Sequence, residues 1–166
     1  MTLGAIKTCE FRNEARQSDV QRVREIVAST GFFSDAEVDV AVELIEDRVR
    51  KGAQSDYRFV FASQNGMTFG YACYGPIACT VGSFDLYWIA VHNDHRGHGL
   101  GLKLMHECEA MIAAEGGRRI YVETSSRSQY EPTRKFYEKC GYRVEAVLED
   151  FYSPRDGKVI LVKAVV

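Results

Sequence analysis

The stretch from Leu86 to Gly101 constrains this chain more than any other. It opens inside an almost continuously apolar run, Phe84 to Val91, that predicts a strand buried on both faces. A short turn follows. Arg96-Gly97-His98-Gly99-Leu100-Gly101 then enters a helix that Leu102 to Ala114 continues. The glycines leave backbone N–H groups uncovered by bulky side chains just where a helix begins. A helix N-terminus has unpaired donors and a partial positive charge, so it attracts phosphate. The stretch therefore predicts a strand and loop that hold the pyrophosphate of a nucleotide-containing cofactor.

The remainder reads as one domain, residues 1–166, long enough to bury a real core. Ala5 to Phe11 is a candidate first strand. Ser18-Asp19-Val20-Gln21 has the pattern of a capping box and opens a helix with Val20, Val23 and Val27 on one face, stopped at Gly31. Ser34-Asp35-Ala36-Glu37 opens a second helix, whose stripe is Val38, Ala41, Val42, Ile45 and Val49 and whose end is Gly52. Tyr57 to Ser63 and Met67 to Tyr74 alternate as strands around Asn65-Gly66, a strong hairpin signal. Gly75-Pro76 is expected to end the second of these. After the central helix Gly116-Gly117 is a stop, and Arg119 to Thr124 a short strand. Pro132 suits the first turn of a helix that carries Phe136 and Cys140 on one side and stops at Gly141. Tyr142 to Tyr152 and Lys158 to Val165 close the chain as two strands joined through Ser153 to Gly157. This order predicts an α/β (α+β) fold: a single mixed, mostly antiparallel twisted sheet with helices on both faces.

Composition narrows the function. The net charge is −2 with no basic run, which argues against nucleic acid as a partner. No apolar run reaches the length of a membrane span, and the N-terminus lacks the basic-then-apolar pattern of a signal peptide. Five dispersed cysteines without a C-x-x-C point to reduced thiols and a cytoplasmic protein.

These residues resemble a known family. Arg96-Gly97-His98-Gly99-Leu100-Gly101 is similar to the Arg/Gln-x-x-Gly-x-Gly/Ala signature of the GNAT superfamily, the acyl-CoA-dependent N-acyltransferases. Ile89-Ala90-Val91 resembles the end of the strand before it, and Phe136-Tyr137-Glu138-Lys139-Cys140-Gly141-Tyr142 resembles the family's Tyr-x-x-x-Gly-Phe helix end. The resemblance covers nearly the whole chain. It implies acetyl-CoA, or another acyl-CoA, as co-substrate, with the N–H groups from Gly97 through His98, Gly99, Leu100 and Gly101 to Leu102 on its pyrophosphate. Arg96 shapes the turn or meets a phosphate, and Ile89, Ala90 and Val91 pair with the pantetheine arm through their backbone. A backbone N–H of that strand polarises the thioester carbonyl in the family. The implied reaction is direct attack of a primary amine on the thioester, the acceptor being a small molecule, an amino acid or a peptide N-terminus. A homodimer is a common state in the family.

Direct transfer poses two proton problems, because the amine must be neutral to attack and the leaving thiolate must gain a proton. Tyr137, at the family's helix-end tyrosine position, is the implied acid; its alternative is core packing beside Phe136. A phenol (pKa about 10) is a reasonable donor to a thiolate whose conjugate acid lies near about 8.5. Two carboxylates are candidates for the base. Glu123 resembles the glutamate of the ribosomal-protein N-terminal acetyltransferase branch, and Asp85 stands where the histone-acetyltransferase branch carries its glutamate. Each is otherwise an exposed strand-end carboxylate, and a third alternative is removal of the proton by water alone. Tyr130 occupies a position where many members carry a cofactor-contacting Asn.

Phe32 and Phe33 are either an apolar wall for the acceptor or a hydrophobic staple for the second helix, and Tyr87 is a further acceptor contact. Asp150-Phe151-Tyr152 either overhangs the acceptor groove or is a plain strand end. His92, His95 and His98 at three-residue spacing invite a metal reading, but two of them fall in the turn and no His-Glu-x-x-His helix pair is present, so no metal is expected. A Rossmann site is disfavoured because Gly97-x-Gly99-x-Gly101 lacks the two-residue gap before its third glycine. A rival from another class is an acyl-CoA-binding regulatory domain without turnover.

Overall fold

The computed structural model describes residues 8–165. Its strands are β1 (Glu10–Arg12), β2 (Arg58–Gln64), β3 (Met67–Pro76), β4 (Ser83–Val91), β5 (Arg119–Ser125), β6 (Arg143–Ser153) and β7 (Asp156–Ala164). Its helices are α1 (Gln17–Ser29), α2 (Asp35–Lys51), α3 (Leu100–Ala114) and α4 (Glu131–Lys139). The seven strands lie in the order β1-β2-β3-β4-β5-β7-β6, a mixed and mostly antiparallel sheet as the element order predicts. β4 and β5 run parallel from Ser83 opposite Arg119 to Leu86 opposite Val122. The chain divides into two compact units, Met1–Cys73 with Trp88–Cys108, and Tyr74–Tyr87 with Glu109–Val166.

In the first unit, α1 and α2 lay apolar stripes on the strands. Val23, Ile26 and Val27 of α1 and Val38, Ala41 and Ile45 of α2 are buried in one cluster with Phe59, Phe61, Tyr71, Cys73 and Ala90. The Phe59 and Phe61 rings are stacked at 5.6 Å, as same-face neighbours two residues apart on a strand permit. The α2 cap forms as its spacing predicts: Glu37 N–H donates to Ser34 Oγ at 3.3 Å and Ser34 N–H to Glu37 Oε2 at 2.8 Å. Ser34→Ala is expected to cost about 1 kcal/mol, read as a lower denaturant midpoint at unchanged slope.

The α1 cap does not form where Ser18 predicts it. The helix begins at Gln17, and Asp19 accepts from the Arg16 N–H at 2.8 Å. Asp19 is drawn in by Arg12, whose guanidinium pairs with both of its oxygens (2.9 Å for Nη1) and lies 4.3 Å over the Phe61 ring. A buried ion pair therefore overrides the local Ser preference. The predicted first strand is shorter and later, Glu10–Arg12, and its residues 5–7 lie outside those described. The Asn65-Gly66 turn has φ of 51° and 75°, both in the left-handed region a tight hairpin needs.

In the second unit, β5 and β7 pair antiparallel over their full lengths, from Arg119 opposite Ala164 to Ser125 opposite Lys158, and β6 pairs outside β7. Phe84, Leu86, Ile120, Val122, Tyr137, Tyr142, Val159, Leu161 and Val162 are buried. Gly75-Pro76 does not end β3 early, because the strand runs through Pro76. The last hairpin turns on Pro154-Arg155 alone, with Ser153 paired to Asp156 and Arg155 at φ 66°. The five-residue connection expected from composition is therefore mostly strand.

β4 corrects a larger expectation. Its burial alternates rather than being complete on both faces: Phe84, Leu86 and Ala90 are buried, while Asp85, Ile89 and Val91 are half-buried and Tyr87 is 39% exposed. A run of apolar residues cannot distinguish a face that packs against protein from one that stays accessible. Among the described residues, no helix is long and apolar enough to cross a membrane.

Candidate active site

Of the residues expected to hold the cofactor, Ile89, Ala90, Val91 and Arg96 to Leu102 lie in the first unit and Tyr130 in the second. After β4, Asn93–His95 form a short 3₁₀ turn in which His95 N–H donates to His92 O at 2.9 Å. The chain then passes through Gly97 at φ 85° and Gly99 at φ 70° before α3 begins at Leu100. A Cβ placed on either glycine would meet no atom within 4 Å. Backbone conformation, not crowding, is what demands glycine here, and the space in front of the loop is open. Lys103 N–H is already paired to Gly99 O at 3.2 Å, while the first-turn donors before it have no acceptor within the helix. This donor set, facing open space at a helix start, fits a pyrophosphate.

A Gly99→Ala substitution forces a side chain into the left-handed region, at a cost of about 1–2 kcal/mol. It is expected to weaken acetyl-CoA binding about tenfold, since 1.4 kcal/mol is a factor of ten, as read by isothermal titration.

Arg96 and His98 are exposed, Leu100 and Gly101 half-buried, and Leu102 40% exposed. Ala90 presses close to β3, since a Cβ on Gly70 would lie 3.1 Å from the Ala90 carbonyl. His95 stacks on Phe69 at 5.0 Å, and the His92 Nδ1 accepts from the Asp94 N–H at 3.3 Å. No cluster of His, Cys, Asp or Glu among the described residues suits a metal ion. Phe33 packs edge-on against Trp88 at 4.9 Å and against the buried cluster of the first unit. The Phe32 ring is 6.3 Å from that of Phe33.

The proton-transfer candidates lie in the second unit. Tyr137, in the last turn of α4, is buried and touches Phe136 and Tyr142, with ring centroids at 5.5 and 5.8 Å. Gly141 at φ 90° turns the chain so that Tyr142 N–H donates to Tyr137 O at 3.0 Å. Tyr130 caps α4, and the Arg127 guanidinium lies 5.6 Å over its ring.

Asp85 and Glu123 share a sheet face. Asp85 is in register with Tyr121, and Glu123 stands two residues further along β5. Burial and the like charge of Glu123 push the Asp85 carboxyl above its ordinary range, against a smaller opposing effect of Lys158. Tyr87 is on the same face, two residues from Asp85.

Sequence reasoning missed Lys158. Its Nζ is 2.8 Å from Glu123 Oε2 and 3.9 Å over the Phe151 ring, and its side chain is only 13% exposed. Tyr152 also lies in the field of Glu123, and its phenol is raised first by burial and then by Glu123 and Asp156. Nearby, Arg127 Nε is 3.2 Å from Asp156 Oδ2. No local motif encodes these contacts, because they cross from β5 to β6 and β7.

A family model described as an acetyltransferase (GNAT) domain matches residues 55–144. A crystal structure from Desulfovibrio desulfuricans, described as a GNAT-family acetyltransferase, is 43% identical, with a TM-score of 0.94 over 96% of this chain and 100% of that one. The Escherichia coli ribosomal-protein-S18-alanine N-acetyltransferase shares the fold at 17% identity and a TM-score of 0.74, over 95% of this chain and 94% of that one. An aminoglycoside 6'-N-acetyltransferase solved with coenzyme A does so at 16% identity and a TM-score of 0.74, over 96% of this chain and 97% of that one. No curated protein matches the sequence.

Proposed function

This chain belongs to the GNAT family of acetyltransferases, enzymes that use acetyl-CoA as co-substrate, and from that premise we propose that it acetylates a primary amine of a small molecule, an amino acid or a peptide N-terminus. The observation that carries the reading is the loop at Gly97 and Gly99, held open in left-handed conformation at the start of α3. In this reading Gly97, His98, Gly99, Leu100, Gly101 and Leu102 bind the pyrophosphate through their N–H groups, and Arg96 adds charge beside it. Ile89, Ala90 and Val91 carry the pantetheine arm on their backbone, and Tyr130 contacts the cofactor. The whole chain acts as one transferase domain, which the full-length coverage of the Desulfovibrio protein supports.

Acetyl-CoA supplies the acetyl group as an activated thioester. The chain's own residues handle the protons. Tyr137 donates its phenolic proton to the departing sulfur, at little cost because phenol and thiol acidities are close. A carboxylate of the Asp85–Glu123 pair takes the proton from the attacking amine, directly or through water. Phe32, Phe33 and Tyr87 contact the acceptor. An acceptor with an α-amino group (pKa about 7.7–8.0) needs less help from that carboxylate than a lysine (about 10.4). The five free cysteines, three of them buried, support a reducing, cytoplasmic setting.

CoA release measured across amines, amino acids and peptide N-termini, with calorimetric titration of acetyl-CoA alongside, tests the proposal. Turnover with one acceptor class is the expected result. Tight acetyl-CoA binding with no turnover on any amine would move the chain to the regulatory class, and no binding at all would overturn the reading of the glycine loop.

A further inference from the structure

The two carboxylates of the second unit are not equivalent. Glu123 is held by Lys158 at 2.8 Å, on the same sheet face, since Lys158 is in register with Ser125 two residues beyond Glu123. Lys158 is also sandwiched, with its ammonium 3.9 Å over Phe151 and its side chain mostly covered. A lysine so little exposed needs its counter-ion, so Lys158 is tied to Glu123 although the glutamate side chain itself is 46% exposed. Asp85, by contrast, makes no hydrogen bond or ion pair among the described residues, although it is half-buried.

We propose that Lys158 is a positioning residue for acetyl transfer: by holding Glu123 in an ion pair it leaves Asp85 as the carboxylate that accepts the acceptor's proton. The inference rests on the acetyltransferase reading given above. The acceptor nitrogen bonds to the acetyl carbon as the carbon–sulfur bond breaks. The nitrogen's proton passes to Asp85, and the sulfur takes the proton of Tyr137. Solvent then removes the proton from Asp85 and returns one to Tyr137, which leaves amide and free thiol with both residues restored.

The titratable groups that share the face of Asp85 are Tyr87 of β4, Tyr121 and Glu123 of β5 and Lys158 of β7, and Glu123 is faced in addition by Tyr152 of β6. Glu123 raises the proton affinity of Asp85 and Lys158 lowers it. The two neighbours therefore set the basic form of Asp85 in opposite directions, and their removal has opposite signs. Activity requires ionised Asp85 and so falls on the acid side as Asp85 protonates. Removing Lys158 moves that acid limb to higher pH. Removing the charge of Glu123 moves it to lower pH.

The test combines pH profiles of kcat/KM in the wild type, Lys158→Met, Lys158→Arg, Glu123→Gln and Asp85→Asn with a carboxyl carbon NMR titration of Asp85 in the four that keep it. The acceptor's own ionisation is common to all five and cancels in the comparison. Lys158→Met is expected to move the acid limb to higher pH, with the NMR midpoint of Asp85 rising, and Lys158→Arg to restore it. Glu123→Gln is expected to move it down, whereas Asp85→Asn loses about 100-fold or more. A loss of rate in Lys158→Met without movement of the limb would reduce Lys158 to a packing role and overturn the proposal. So would a Glu123→Gln variant as inactive as Asp85→Asn. NMR midpoints that move while the limb stays still would show the ion pair without its catalytic consequence, which also overturns it. Absence of turnover in the wild type itself would instead sink the acetyltransferase reading, and the NMR titration separates the two failures.

Discussion

Tyr137→Phe is expected to lower the maximal rate of CoA release by about 100-fold or more, with acetyl-CoA affinity unchanged. The substitution keeps the ring that packs between Phe136 and Tyr142 and deletes only the hydroxyl. Tyr137 is buried, so losing its ring would confound any kinetic loss with a folding defect. Phe avoids that problem, and a thermal melt alongside verifies it. If the phenol is the proton donor, the thiolate must leave without a proton, and the loss falls on kcat and kcat/KM together. Turnover equal to that of wild type would return Tyr137 to a packing role and leave water as the acid.

The largest stability effect is expected at Arg12. Arg12→Ala strands Asp19, which is 2% exposed, without its counter-ion, and is expected to destabilise the protein by about 3 kcal/mol. The guanidinium also gives up its place over Phe61 and its 3.3 Å contact with Thr68 Oγ1, so β1 loses its tie to both α1 and β3. The companion Asp19→Asn variant distinguishes the cause. It keeps the acceptor for the Arg16 N–H while removing the buried charge, and should cost less than Arg12→Ala. Equal losses in the two would point to the lost Arg12–Asp19 attraction itself, not to a stranded carboxylate. Denaturant unfolding with matched slopes reads both.

Local spacing was enough to locate most elements of this protein. The Asn65-Gly66 hairpin, the Ser34–Glu37 capping box, the glycine-rich entry into α3 and the Pro132 start of α4 all depend on conformational preferences within a few residues, and each forms in the structure. The family signature belongs to this group too, because a phosphate-binding loop is built from consecutive backbone N–H groups and glycines at fixed spacing. Burial was less legible. The apolar run in β4 read as buried on both faces, yet Asp85 and Tyr87 lie on a face that stays partly open. Composition records what a residue tolerates, while its neighbours across the sheet decide whether it is covered.

The same distinction runs through the candidate site. Tyr137, Glu123 and Asp85 were named from motif position, and the amino-acid sequence alone left the two carboxylates as equals. What separates them is Lys158, which lies 35 residues after Glu123 in the chain and reaches it only through the antiparallel register of β5 and β7. Asp19 shows the reverse case, a residue whose local capping pattern at Ser18 was overruled by Arg12. Coulomb and burial energies act through space and depend on distance, so they become defined only when distant strands come into register. The chain alone therefore carried the loop geometry and the order of its elements. Tertiary pairing decided which charges meet, and with it which of the two carboxylates is held in an ion pair.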